Sequence, residues 1–364
     1  MDEMRDRRVI QGLLTAIKEK TRSINSPLRI MEVCGTHTMT IHRFGLKKIL
    51  KDAGIEMLSG PGCPVCITPD EYHEAAIGLV EKKENFILAT FGDMTRVPTS
   101  LGSIQTTVAG KNSQVKIVYS PFEALEIAKN HPEREVVFFG VGFETTIPGI
   151  VLSVKEAAEN KIKNYSVLSA FWIIPPPLRA IVMGDSSIHG FIYPGHVSAI
   201  IGLAPYAFIA DDYKIAGAVA GFEPVDVLLA IKSIADQIST GKPIVDNVYE
   251  RVVKPEGNPA AQKIMVDMLG KKDAYWRGLG EIPSSGLKFK KKFSPFDAEV
   301  KYGIDLEFGS SDLPGCRCGD VLQGKISPLE CPLFGKVCKP DSPRGPCMVS
   351  FEGACLAHFK YSLR

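Results

Sequence analysis

Short runs of apolar residues, each closed by glycine or proline, alternate along the chain with longer stretches whose apolar positions recur every three or four residues. "PLRIMEV" leads into "CGTHT", "NFILAT" into "FGDMTRVP", "REVVFFG" into "VGFETTIP", and "HGFIY" into "PGHVS". Runs this short, rich in Val, Ile and Phe and apolar on both faces, read as buried parallel strands. Between them "PFEALEIAKNH" and "GIVLSVKEAAEN" carry the helical period. The alternation predicts an α/β fold, with two doubly wound parallel-sheet domains at 1–130 and 131–275 and a small irregular C-terminal domain at 276–364. "WIIPPPLRA" at Trp172–Ala180 reads as a strand ending in a polyproline stretch, either a rigid cleft wall or a connector.

In such sheets the loops leaving the carboxyl ends of the strands share one edge, and ligands bind in the crevice there. The chemically unusual residues fall in those loops: Cys34 and His37, Asp93, Glu144 and Thr145, and His196. Thr36, Thr145 and His196 are candidate hydrogen-bond partners for a bound ligand. Asp93 and Glu144 are candidates to carry protons or orient His196, and Glu144 equally suits a helix cap.

Composition narrows the setting. Among 364 residues, 43 Lys and Arg balance 41 Asp and Glu, so no overall field favours nucleic acid or an anionic membrane. The basic run "KFKKKF" at Lys288–Phe293 reads as a solvated strand or loop. The apolar stretch around Ala199–Ala210 is broken by Gly202 and Pro205, and "MDEMRDRRVI" lacks the pattern of a signal peptide. A cytoplasmic protein is expected. No Walker A or Gly-x-Gly-x-x-Gly pattern follows a strand, so no nucleotide cofactor is implied.

Nine cysteines in a reducing compartment argue for chemistry rather than disulfide staples. Cys34, Cys63 and Cys66 lie near the front, and six crowd the end: Cys316, Cys318, Cys331, Cys338, Cys347 and Cys355. "GPGCPVCIT" holds a Cys-x-x-Cys that spacing alone reads as half of a zinc site, a redox dithiol or a pair of soft iron ligands. With Cys34 and His37 it makes a Cys₃His set that fits tetrahedral zinc. Cys316, Cys331, Cys338 and Cys355 supply four thiolates, the number a [4Fe-4S] cluster requires, and zinc stays open for the tail as well.

"EVCGTHT", "GPGCPVCIT", "FGDMTRVP", "GFETTIP", "YPGHVSAIIG" and "GFEPVD", followed by "CRCGDVLQG", "CPLFGKVC" and "GPCMVSFEGAC", resemble the HypD family of [NiFe]-hydrogenase maturation proteins. The match runs in order from Met31 to Cys355. The resemblance implies a scaffold and redox protein, rather than a conventional enzyme, that holds iron with HypC while an Fe(CN)2CO moiety is assembled, with HypE as the cyanide-donating protein. It implies Cys34 as principal iron ligand, His37 beside it, Cys63 and Cys66 as a redox dithiol able to touch the iron, and a [4Fe-4S] cluster on Cys316, Cys331, Cys338 and Cys355. Choosing Cys316 over Cys318 rests on the resemblance, and Cys318 and Cys347 are left as bystanders. The competing reading is a self-contained iron-sulfur reductase of a disulfide or small molecule.

Overall fold

The computed structural model describes residues 6–22, 24, 27–82, 85–108, 115–184, 187–309 and 314–362. In chain order the strands are β1 (Leu28–Glu32), β2 (Ile55–Ser59), β3 (Phe86–Thr90), β4 (Val115–Ile117), β5 (Glu135–Gly142), β6 (Tyr165–Phe171), β7 (Gly190–Pro194), β8 (Ala216–Ala220), β9 (Val245–Asn247), β10 (Leu269–Trp276) and β11 (Gly280–Phe289). One parallel sheet has the order β2-β1-β7-β8-β9 and another the order β4-β3-β5-β6. The α/β reading with parallel sheets therefore holds. β3, β6, β7 and β8 are buried at every position, which is why they read as unbroken apolar runs rather than alternations.

The sheets do not follow the chain in sequence blocks. The first takes β1 and β2 from the front and β7, β8 and β9 from beyond residue 190, while the second is built wholly from 86–171. Residue 130 thus falls between β4 and β5, two strands of one sheet.

Two local features differ from expectation. "PPP" opens the helix Pro175–Gly184 rather than a polyproline segment, because a helix's first turn has no use for the N–H groups that proline lacks. β10 and β11 form an antiparallel hairpin, and β10 is buried at Leu269, Ala274 and Trp276 with more exposed positions between, the pattern of a half-covered ribbon. Residue 275 falls within this hairpin.

The tail carries short elements: the helix Cys318–Leu322, the turns Pro328–Glu330 and Pro346–Met348, and the final helix Ala354–Ser362. It is packed onto the sheets. One apolar cluster runs from Met31 and Val33 through Cys63 and Cys66 to Trp172, Trp276, Cys318 and Cys347. No helix among the described residues is long and apolar enough to cross a membrane.

Candidate functional site

β1 and β2 pair in parallel with Glu32 opposite Ser59, so the loops that follow them leave the same sheet edge. Cys34 caps the helix Gly35–Arg43 in an extended conformation and is only 7% exposed. Buried Glu32 holds it from behind: one carboxylate oxygen accepts the Cys34 N–H at 3.0 Å and the other accepts the Thr38 hydroxyl at 2.5 Å. Burial pushes the Glu32 carboxyl up to about 8. The second loop is laid directly on the first, since the Gly35 N–H donates to the Gly62 carbonyl at 3.3 Å and a Cβ on Gly62 would strike the Val33–Cys34 backbone.

Beyond Gly62, Cys63 caps the four-residue helix Pro64–Ile67, with Pro64 in its first turn. Cys63 and Cys66 are joined by a disulfide across a Cα–Cα distance of 5.2 Å, and both are buried. The Cys66 N–H donates to the Cys63 sulfur at 3.2 Å.

The tail closes over both loops. The helix Gly35–Arg43 packs on the final helix, and the helix Pro64–Ile67 packs on the turn Pro346–Met348 that carries Cys347. The Thr36 hydroxyl donates to the Glu352 carboxylate at 3.0 Å. Asp93 grips the same stretch, accepting the Phe351 N–H at 3.2 Å and pairing at 2.8 Å with Arg96, which also reaches the Val349 carbonyl at 3.3 Å. Burial, then the Glu352 and Glu32 carboxylates, push the Cys34 thiol up to about 12. The resting thiol therefore keeps its proton.

His37 is fully buried, and its Nε2–H donates to the carbonyls of Gly221 at 2.9 Å and Ala220 at 3.3 Å. Burial depresses it to about 4. It ties the Cys34 helix to the loop after β8, and the Cys34 thiol is raised rather than lowered. His37 and His196 each stack on Phe222, at 4.8 and 3.9 Å between ring centres. His196 is exposed at this edge, and its partial burial lowers its pKa. Glu144 is buried, raised to about 7 by that burial, and accepts the Ile174 N–H at 3.0 Å. Among the described residues neither it nor Asp93 hydrogen-bonds His196, and Thr145 beside it is exposed. Burial pushes the Tyr206 phenol well up, and the charges that reach it include both Glu144 and Cys34.

The tail thiols gather from several loops. Cys318, Cys347 and Cys355 act on one another: the Cys318 and Cys347 thiols bring Cys355 down to about 6, while Cys347 is driven well up by Cys318 and Cys355. Cys316 and Cys338 act electrostatically on Cys355. A Cβ on Gly345 would come within 2.6 Å of the Cys316 sulfur and 2.8 Å of the Cys318 sulfur. The Arg344 N–H donates to the Cys338 sulfur at 3.3 Å. Cys331 is half-buried in the turn leading to Leu333, and Leu333 packs on Gly315 beside Cys316. Soft thiols in a cradle only glycine fits, with a backbone N–H turned on one of them, are the donor chemistry an iron-sulfur group requires. Among the described residues no three or more His, Cys, Asp or Glu side chains are set to hold a single metal ion. The Cys₃His zinc arrangement in particular is not formed: His37 bonds carbonyls and Cys63 bonds Cys66.

A strut joins the dithiol helix to the tail. Arg277, in the turn after β10, donates its N–H to the Ile67 carbonyl at 2.9 Å and its Nε–H to the Thr68 carbonyl at 3.0 Å, and forms a buried ion pair with Asp70. Gly278 next to it lies against Gly319 of the helix Cys318–Leu322. Sequence reasoning missed Glu32, Glu352 and Arg277. Glu32 alone carried a signal, as an acid inside an apolar strand.

A family model named HypD and described as "Hydrogenase formation hypA family" matches residues 8–362. The "Hydrogenase maturation factor HypD" of Rhodobacter capsulatus is 42% identical over 369 residues, covering 99% of this chain and 97% of that protein. The protein of the same name in Escherichia coli (strain K12) is 40% identical over 367 residues, covering 99% and 97%. "Hydrogenase maturation factor HypD2" of Bradyrhizobium diazoefficiens is 40% identical over 368 residues, covering 99% and 96%. Matched along nearly its whole length, and carrying the motifs in the same loops that its two sheets bring together, the chain belongs to the HypD family.

Proposed function

We propose that this protein is a hydrogenase maturation factor that acts as an assembly scaffold. It holds iron, as the Fe(CN)2CO intermediate, on the Cys34 thiolate, with HypC contributing a further ligand and HypE donating the cyanide groups. Iron bearing cyanide and carbon monoxide is a soft, strong-field centre suited to thiolate. Cys34 has the right surroundings: a buried thiol between the acids Glu32 and Glu352, both held toward their neutral form by burial, so that a cation arriving on the sulfur would be met by carboxyls able to release their protons.

The observation that carries the reading is the packing of the disulfide helix Pro64–Ile67 on the Cys347 turn, beside the Cys34 loop. The residues that hold a [4Fe-4S] cluster in this reading are Cys316, Cys331, Cys338 and Cys355, with Cys318 and Cys347 beside them. Such a cluster, when bound, supplies electrons singly from an external donor protein. Opening the Cys63–Cys66 disulfide consumes two electrons and two protons and yields two thiols. Those thiols then lie next to Cys34, where they can receive or release the iron. In this reading the protein acts in the cytoplasm.

The test is infrared spectroscopy of protein purified without oxygen together with HypC. Cyanide and carbonyl stretches are expected in the native complex and lost in Cys34→Ser, which keeps its iron-sulfur absorption. Bands at full intensity in Cys34→Ser would overturn the assignment. Disulfide turnover with no such bands in the native complex would instead favour the self-contained reductase, which rests on the same disulfide.

A further inference from the structure

A second concavity lies behind the Cys34 strand, away from the disulfide. β2 is an edge strand of its sheet, and between it, the helix Leu46–Lys51 and the loop 321–330 there is a cavity of about 620 Å³. That volume is within the range of small-molecule sites. Ile55, Met57 and Leu329 give it an apolar lining, and Arg29, Lys47, Lys51 and Lys325 a cationic one.

The charges do not cancel. Two acids also line the cavity, and both are engaged: Glu56 pairs with Arg29 at 3.2 Å, and Glu330 accepts the Ser327 N–H at 2.7 Å. Among the described residues Lys47, Lys51 and Lys325 have no ion-pair partner. Lys47 and Lys51 stand one helical turn apart on the same face, where like charges repel. Lys47 is half-buried, and its ammonium is pushed below its usual value, first by that burial. Lys51 and Lys325 reach solvent, while Lys47 is half-buried with the Glu32 and Glu56 carboxyls acting on it from a distance, so the cavity keeps a cationic rim that an entering anion can neutralise.

A second observation points the same way. His358, on the final helix, lines the cavity while only 5% exposed, and its buried Nδ1 has no hydrogen-bond partner. Its ring meets His42 edge-on at 5.0 Å. A buried, unpaired imidazole nitrogen beside unpaired ammonium groups is a polar end awaiting a ligand.

We infer that this cavity binds a small organic oxyanion, a carboxylate or phosphate ester with an apolar body, held by Lys47, Lys51 and His358 with its body against Ile55, Met57 and Leu329. The cavity lies apart from the disulfide, and it shares Lys47, Met57, Leu58 and Ser59 with a small void that reaches Glu32.

Titration calorimetry on the full-length protein tests it, with three probes: 4-phenylbutyrate, 4-phenylbutyl phosphate and the neutral 4-phenylbutanol. One anion at least should bind saturably at one site, with the alcohol at least tenfold weaker. The tighter anion identifies the source, an acyl carboxylate or a phosphorylated metabolite. Lys47→Met should weaken the anion about tenfold through loss of a charge-assisted hydrogen bond, Lys47→Arg should restore most of it, and exposed Lys155→Met should change nothing. Far-UV circular dichroism and the melting temperature establish that the variants are folded. Absence of binding by both anions, equal binding of the alcohol, or an unchanged affinity in folded Lys47→Met would each overturn the inference.

Discussion

Arg277 offers the sharpest test of how the dithiol helix is held. It is 3% exposed and its partner Asp70 is 4% exposed, so replacing it by methionine leaves a carboxylate buried without its counter-ion. Breaking such a pair from one side costs about 3–5 kcal/mol, a total that includes the bond to the Thr68 carbonyl. The double variant Arg277→Met with Asp70→Asn removes the stranded charge, so its cost should fall short of the sum of the single variants by about 2 kcal/mol. Urea unfolding read by tryptophan fluorescence is well placed to follow this. Trp276 precedes Arg277, and its ring lies 6.2 Å from that of Trp172. Because Gly278 rests on Gly319, the same substitution should also loosen the dithiol helix from the Cys318 helix. After mild reduction, Cys63 and Cys66 should react with a thiol reagent faster in Arg277→Met than in the native protein. A stability within 1 kcal/mol of the native value, or strictly additive single and double variants, would refute the strut.

Two further outcomes follow from the same geometry. Iron and sulfide analysis of single alanine variants should find Cys316, Cys331, Cys338 and Cys355 required for the tail cluster, and Cys318 and Cys347 dispensable; a cluster surviving Cys331→Ala and lost in Cys318→Ala would exchange the two residues. Gly62→Ala drives a methyl into the Val33–Cys34 backbone, so a loss of about 2 kcal/mol in urea unfolding is expected, together with weakened iron retention. Native-like behaviour in both assays would show that the two loops are not wedged together.

The strands were legible because burial on both faces writes itself as an unbroken apolar run: "NFILAT" contains β3 and "REVVFFG" contains most of β5. Strand order was not legible, since nothing in "HGFIY" says that β7 will pair with β1 across more than a hundred residues. Of the site, the cysteine and histidine loops could be read from their chemistry, whereas the groups that act on them could not. Glu352 and Arg277 look like ordinary surface charges until the tail folds back, when burial and the bonds to Thr36 and Thr68 give them their roles. His37 shows the converse: a residue at metal-ligand spacing whose nitrogen is taken up by the carbonyls of Ala220 and Gly221, supplied by a loop some 180 residues away.

The split composition of the first sheet also fixes an order of events during synthesis. β3, β4, β5 and β6 come from one continuous stretch and can assemble as soon as residue 171 has left the ribosome, while β1 and β2 must wait for β7 and β8. Cys34 emerges ~300 residues ahead of Cys355, an interval of roughly 15–60 s at about 5–20 residues per second. During that time Cys34, Cys63 and Cys66 lack the tail that covers them in the folded protein, so the nascent chain passes through a stage in which these thiols are accessible. Any oxidant meeting the chain then encounters the front thiols first, so closure of the tail over them is the last protection the fold acquires.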